Sequence, residues 1–208
     1  NDALLSISEG GTGANTVEDA RSNLGITTVG KNLIINGDFN SWQEGTSFTA
    51  IANGLYFADL FFHAKDASAT GVYTISRDTD VPTVTQSNHF SNYSVKIDVT
   101  TADTSIAASD VYYIQYSVEG YDFQKIAQKP FTLSFWHKHT KTGTYSVAIT
   151  NSGRDRTFVG EYNQSTADTW EKAVITVDAS PSAGTWNYNT GVGLRIKFAI
   201  ATGSDFQG

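Results

Sequence analysis

From about residue 44 onward, apolar and polar residues alternate with a period of two. Leu194, Ile196, Phe198 and Ile200 take turns with Arg195, Lys197 and Ala199, the pattern of a strand with one buried and one wet face. Phe131, Leu133 and Phe135 alternate with Thr132, Ser134 and Trp136, and Tyr93, Val95, Ile97 and Val99 alternate with Lys96 and Asp98. Further strands are predicted over 112–118, 145–149, 157–162, 170–177 and 72–76, with weaker patterns at 33–35 and 55–62. Polar, glycine-bearing connections at 140–143, 150–156 and 180–184 separate them.

Many short strands so punctuated predict an antiparallel sandwich or barrel. No helical pattern of sheet-covering length follows residue 30, which disfavours a parallel βαβ fold. No internal repeat recurs at a fixed period. Each strand has one face to bury, and two sheets packed face to face are the simplest solution. The last strand pattern stops eight residues before Gly208, so a further strand, if the sandwich needs one, is expected beyond it.

The opening of the chain is different. In "SEGGTGANTVEDARSNLGI" (8–26) a glycine cluster runs into one short helical pattern. Thr16 is the expected N-cap, with Asp19 three residues on as a variant of the capping box. Val17, Ala20 and Leu24 share a face, and Gly25 supplies the stop, with Ile26 just beyond. About two turns do not stand alone in water, so this element must pack against something. A phosphate cradle at the helix start lacks both the preceding strand and the Lys-Ser/Thr of a P-loop. The competing reading is a docking or linker segment whose apolar residues, Leu4, Leu5, Ile7, Val17, Leu24 and Ile26, are buried against neighbouring chains. The expected division is a segment at 1–30 and a sandwich over 31–208.

Composition narrows the partners. A formal net charge of -7 argues against nucleic acid, whose phosphates call for clustered Lys and Arg. No run of eighteen apolar residues is present to span a membrane, and no signal-peptide pattern opens the chain. Hydrophobic residues at 39% and charged residues at 17% suit a folded core, and the twelve Phe and ten Tyr suit strands. The absence of Cys excludes disulfides and thiolate metal sites and leaves the redox compartment open. With no Met and Asn1 first, the chain is expected to be a piece of a longer protein.

The segment at 10–25 resembles a recurrent Gly-Gly-Thr-Gly-Ala…Ala-Arg-x-Asn-Leu-Gly element of bacteriophage tail fibre proteins. The match runs through Gly10, Gly11, Thr12, Gly13, Ala14, Ala20, Arg21, Asn23, Leu24 and Gly25. "NLIINGDFNSWQEGTSF" (32–48), "FTLSFWHKHTKTGTYSVAI" (131–149), "TWEKAVITV" (169–177) and "GTWNYNTGVGLRIKFAIATGSDFQ" (184–207) resemble jelly-roll modules of phage tail fibres and tail spikes, related in pattern to carbohydrate-binding modules. Residues 56–62 lack the Asp-Arg-Trp common there, and Asn40 stands where many such modules carry Glu. The resemblance implies an all-β, antiparallel jelly-roll β-sandwich behind a short linker helix, clipped at its C-terminus, in a homotrimeric tail fibre of the virion. It implies further tail proteins and a host-surface glycan as partners, and host attachment without enzymatic activity as the function. A structural spacer or collar whose receptor-binding tip lies elsewhere, and a polysaccharide depolymerase, are the alternatives.

Candidate chemistry follows from residue types. Sugar binding needs aromatic faces that stack on pyranose rings beside amides that fix hydroxyls. Trp186 and Tyr188 in the Asn-rich "GTWNYNTG" are the first candidates, then Trp136, facing away from the Phe131–Phe135 row, and Tyr162 beside Asn163 and Gln164. Asn36, Asp38 and Asn40 follow an apolar run. In similar modules this turn helps hold a structural calcium ion, the one cofactor the resemblance offers. Calcium takes six to eight oxygens and only Asp38 is charged, so an Asx-stabilised turn competes. His137 and His139 lie two apart on a strand and share a face, a start for a metal site with no third ligand evident. Glu119 and Asp122 flank Gly120 as the paired acids of glycoside cleavage or as solvated turn residues.

Overall fold

The computed structural model describes residues 11–16, 19, 20, 23, 24 and 32–206. The chain divides into two compact units, 1–33 and 34–208.

In the first unit the expected cap is formed. The Asp19 amide donates to Thr16 Oγ1 at 3.1 Å and the Thr16 hydroxyl donates to the Asp19 carboxylate at 2.8 Å. Helical bonds follow from Ala20 to Thr16 and from Leu24 to Ala20, 3.0 Å each. The Asn23 side chain donates back to the carbonyls of Thr12 and Gly13. Gly13 has a φ of 64°, the left-handed conformation that glycine adopts without steric cost. The glycine loop is thereby tied to the helix it precedes. Leu4, Leu5, Ile7, Gly10, Val17, Arg21, Gly25 and Ile26 lie outside the described residues.

The second unit contains β1 (Ser47–Phe48), β2 (Phe61–Lys65), β3 (Val72–Asp78), β4 (Ser94–Thr101), β5 (Val111–Glu119), β6 (Phe131–His137), β7 (Gly143–Asn151), β8 (Thr157–Gln164), β9 (Glu171–Val177) and β10 (Val192–Thr202). Two single-turn helices, α1 (Val84–Ser87) and α2 (Gly120–Phe123), follow β3 and β5. Every strand pair is antiparallel. A five-stranded sheet has the order β2-β5-β10-β7-β8, and β1-β3-β4 and β6-β9 form two smaller sheets.

The register sorts the five-stranded sheet into two faces. Phe61, Tyr116, Ile196 and Ile149 lie in one cross-strand row on the inner face, and all four are buried. The smaller sheets cover that face. Tyr73 of β3 meets Tyr112 edge-on at 5.1 Å between ring centroids, and Phe135 of β6 meets Phe198 at 5.0 Å. Gly160 of β8 leaves room for Ile175 of β9, whose Cγ2 would stand 2.8 Å from an added Cβ. The result is the expected all-β antiparallel sandwich, with its core between the layers.

One predicted strand is absent and a second is shifted along the chain. Residues 33–35 are irregular, and over 55–62 the strand begins only at Phe61 after an isolated bridge at Tyr56. Leu60 has a φ of 73°, and Asn36, Phe39 and Ala50 are also left-handed, which a strand does not permit. Apolar content there serves a wrapped loop: Trp42 packs on Phe48 and Phe57, and Phe57 on Phe61. Among the described residues no helix is long and apolar enough to cross a membrane.

Candidate functional site

The site with most built into it lies where β5 ends and β10 begins. Val192 pairs with Glu119, and the Gly120 amide donates to the Gly191 carbonyl at 2.9 Å. α2 places Phe123, fully enclosed, beneath the 184–191 loop. Both Trp186 and Tyr188 stack on it, with centroids 5.4 and 5.8 Å away and ring planes within 20° and 7° of parallel. Offset stacking of this kind fixes ring orientation as well as burying area. Both rings stay half-exposed.

The loop is held from two sides. A Cβ on Gly120 would meet the Asn189 carbonyl oxygen at 2.3 Å, so only glycine lets the backbones approach this closely. Asn187 accepts from the Asn189 amide and donates to the Thr190 carbonyl, a side chain completing the turn. From the other side, the β7–β8 connection grips Thr185. Asp155 accepts from the Thr185 amide, the Thr185 hydroxyl and Asn151 Nδ2. These donors, Asn151 first, hold its carboxyl below the usual range. Asn151, Ser152 and Gly153 all donate to the Thr185 carbonyl. The Trp186 indole, bonded to Ala183 O at 3.0 Å, stands on a fixed ledge.

Comparison with known proteins adds little to this geometry. No family model matches the chain, and no curated protein matches it. Among solved structures it is similar to the enzymatically active domain of tailspike protein 4 of bacteriophage CBA120. The identity is 15% and the TM-score 0.42, over 72% of this chain and 20% of the other. The neighbour is a phage tailspike domain. This chain spans about a fifth of that neighbour's length, and a likeness this loose carries no activity or ligand across. It does correct one expectation, that the sandwich is not an enzyme. The domain to which it is similar is described as enzymatically active, and the expectation of no enzymatic activity is withdrawn.

The four expected sugar-binding aromatics do not form one surface. Trp186 and Tyr188 share the Phe123 platform. Trp136 pairs opposite Lys172, near the His137–Glu171 end of the β6–β9 ladder, whereas the 178–191 connection leaves from Val177 at the other end. Tyr162 is 8% exposed, enclosed by Phe135, His137, His139 and Tyr145, and burial pushes its hydroxyl pKa up. It is a core residue and offers no free face.

His137 and His139 do share a face, with ring centroids 5.4 Å apart. His137 Nδ1 lies 3.0 Å from Gln164 Oε1, and His139 stacks on Tyr145 at 3.6 Å. Among the described residues no three His, Cys, Asp or Glu side chains gather as a metal site. The expected calcium turn is organised otherwise. Asn36 uses both ends of its amide on Ser41 and Asp59, Asp38 pairs with His89 at 3.0 Å, and Asn40 is exposed. The Asn36 bonds to Ser41 are those of an Asx-stabilised turn. Asp122 pairs with Lys125 along α2, while Glu119 precedes α2 without capping it.

Sequence reasoning passed over Phe123, Asp155 and the cations of the outer sheet face. Gly120 is their one legible sign, a glycine directly after a nine-residue strand. The rest depends on pairing across 30 or more positions.

Proposed function

We propose that this chain belongs to a phage tail fibre or tailspike and attaches the virion to a host-surface glycan through the Trp186–Tyr188 platform. The observation that carries the glycan reading is the pair of half-exposed rings stacked on a buried Phe123, beside exposed Asn189 and the clamped loop backbone. Rigid aromatic faces flanked by amides suit a pyranose ring, which presents C–H groups on one side and hydroxyls at its edge. The tail assignment is supported by the glycine-helix element, whose Thr16 cap and Asn23 tie give the fibre-type pattern a physical basis. In this reading the first unit joins the sandwich to other tail proteins in a homotrimer.

The test is competition for bacterial attachment. The purified chain is expected to block phage adsorption, and Trp186→Ala with Tyr188→Ala to lose that block, since the two rings supply the stacking faces of the platform. No protection of any host strain by the parent chain would overturn the proposal. Sizing the host polysaccharide after incubation shows in the same experiment whether the glycan is held intact or cut.

A further inference from the structure

The outer face of the five-stranded sheet carries cations that form no ion pair among the described residues. The register places Arg195 opposite Ser117 and Thr150, and Lys197 opposite Gln115 and Ala148, all outward. Arg154 stands at the adjoining β7–β8 connection with a φ of 62°, a left-handed conformation uncommon outside glycine and asparagine. None of the three forms an ion pair with a described residue. Asp155, the nearest acid in sequence, is committed to Asn151 and Thr185. Glu161 shares the outer face but sits opposite Ser146 on β7.

Two of these charges are also held in place. Arg195 Nη1 donates to the carbonyls of Asn151 and Ser152 at 2.8 and 3.0 Å, and Lys197 Nζ lies 5.1 Å from the Tyr113 ring centroid. Beneath them Gln115 is only 3% exposed, though it faces outward, with its amide on Ser117 Oγ. Burial, then Arg154 and Arg195, lower the Lys197 pKa, and burial followed by Arg154 lowers that of Arg195. In a chain of net charge -7, two partly dehydrated cations, Arg195 and Lys197, with the exposed Arg154 beside them, repel one another and cost stability. Such a cost persists where a ligand repays it.

We propose that Arg154, Arg195 and Lys197 form a binding site for an anionic group, carboxylate or phosphate, of a surface saccharide lying along the outer sheet face beside the Trp186–Tyr188 loop. The proposal rests on the glycan reading above and narrows it to acidic saccharides. Arginine and lysine donate charge-assisted hydrogen bonds to such oxygens, and the Tyr113 ring supplies an apolar floor.

The test compares the parent chain with Lys197→Met plus Arg154→Asn. Methionine keeps the stem over Tyr113, asparagine suits the left-handed backbone, and Arg195 is left to hold the loop. Oligogalacturonate probes the carboxylate source, phosphomannan the phosphate source, and neutral mannan the uncharged background. The parent is expected to bind one acidic probe in preference to mannan, with affinity falling as salt rises. The double variant is expected to bind it at least about tenfold more weakly and to melt at a higher temperature than the parent. Failure to bind either acidic probe, or full affinity in the variant, would overturn the site. Equal binding of free inorganic phosphate would overturn the saccharide part. If the variant still blocks adsorption as well as the parent, this site fails and the platform stands. Acidic-probe binding without any block of adsorption does the opposite: the anion site stands and the attachment reading fails.

Discussion

His63 is fully enclosed between β2 and β3, its Nδ1 3.4 Å from the Ala52 carbonyl and its Nε2 without a partner. Burial holds its pKa below the ordinary histidine value, does the same for His137, and brings His139 down to about 4. All three are therefore neutral in the fold at neutral pH. The unfolded chain protonates them first, near pH 6.5, so between about pH 6.5 and 4 it binds more protons and stability falls with pH. Above that window their contribution is constant. Asp103, held at about 2 chiefly by the Tyr112 hydroxyl, acts only at more acid pH. The melting temperature is expected to drop steadily from pH 7 to 4.5. His139→Phe, which keeps the stack on Tyr145, is expected to flatten the slope; an unchanged slope would contradict the assignment.

At the scale of elements, the close approach of α2 to the 184–191 loop is the tightest constraint around the site. Gly120→Ala places a methyl group against the backbone of Asn189 and Asn187, which cannot rotate away. Overpacking of this kind costs about 1–3 kcal/mol. Chemical denaturation is expected to show that loss, and near-ultraviolet circular dichroism a weaker signal from the Trp186–Phe123–Tyr188 stack. An unperturbed stack would show that the loop is less firmly held than its bonds imply. The strands were legible because alternation is local: β3, β5 to β7, β9 and β10 all coincide with period-two runs. The segment 32–60 was not, because its order comes from distant partners, such as Asn36 with Asp59 and the Ile35 amide with the Tyr116 hydroxyl. The site was half legible. Trp186 and Tyr188 advertise themselves by type, whereas Arg195 and Lys197 read as an ordinary wet face until pairing shows that nothing opposite them is acidic.

For the molecule as a whole, residues 34–208 form a unit with its own core, including Phe57, Phe61, Ile75, Val147 and Ile196. That unit is expected to unfold in a single cooperative transition when produced alone. If the first unit drives trimer formation, sedimentation should give a threefold mass for the full chain and a single-chain mass for 34–208; a trimer from 34–208 would assign association to the sandwich. The grip of Asp155, Asn151 and Gly120 on the 184–191 backbone has a consequence for descent. Under the proposed attachment role, a lineage could exchange the side chains at 186, 188 and 189 to follow a changing host while the ledge beneath them passed on unaltered. Drift at Gly120, Asn151 or Asp155 would instead cost the whole ledge at once.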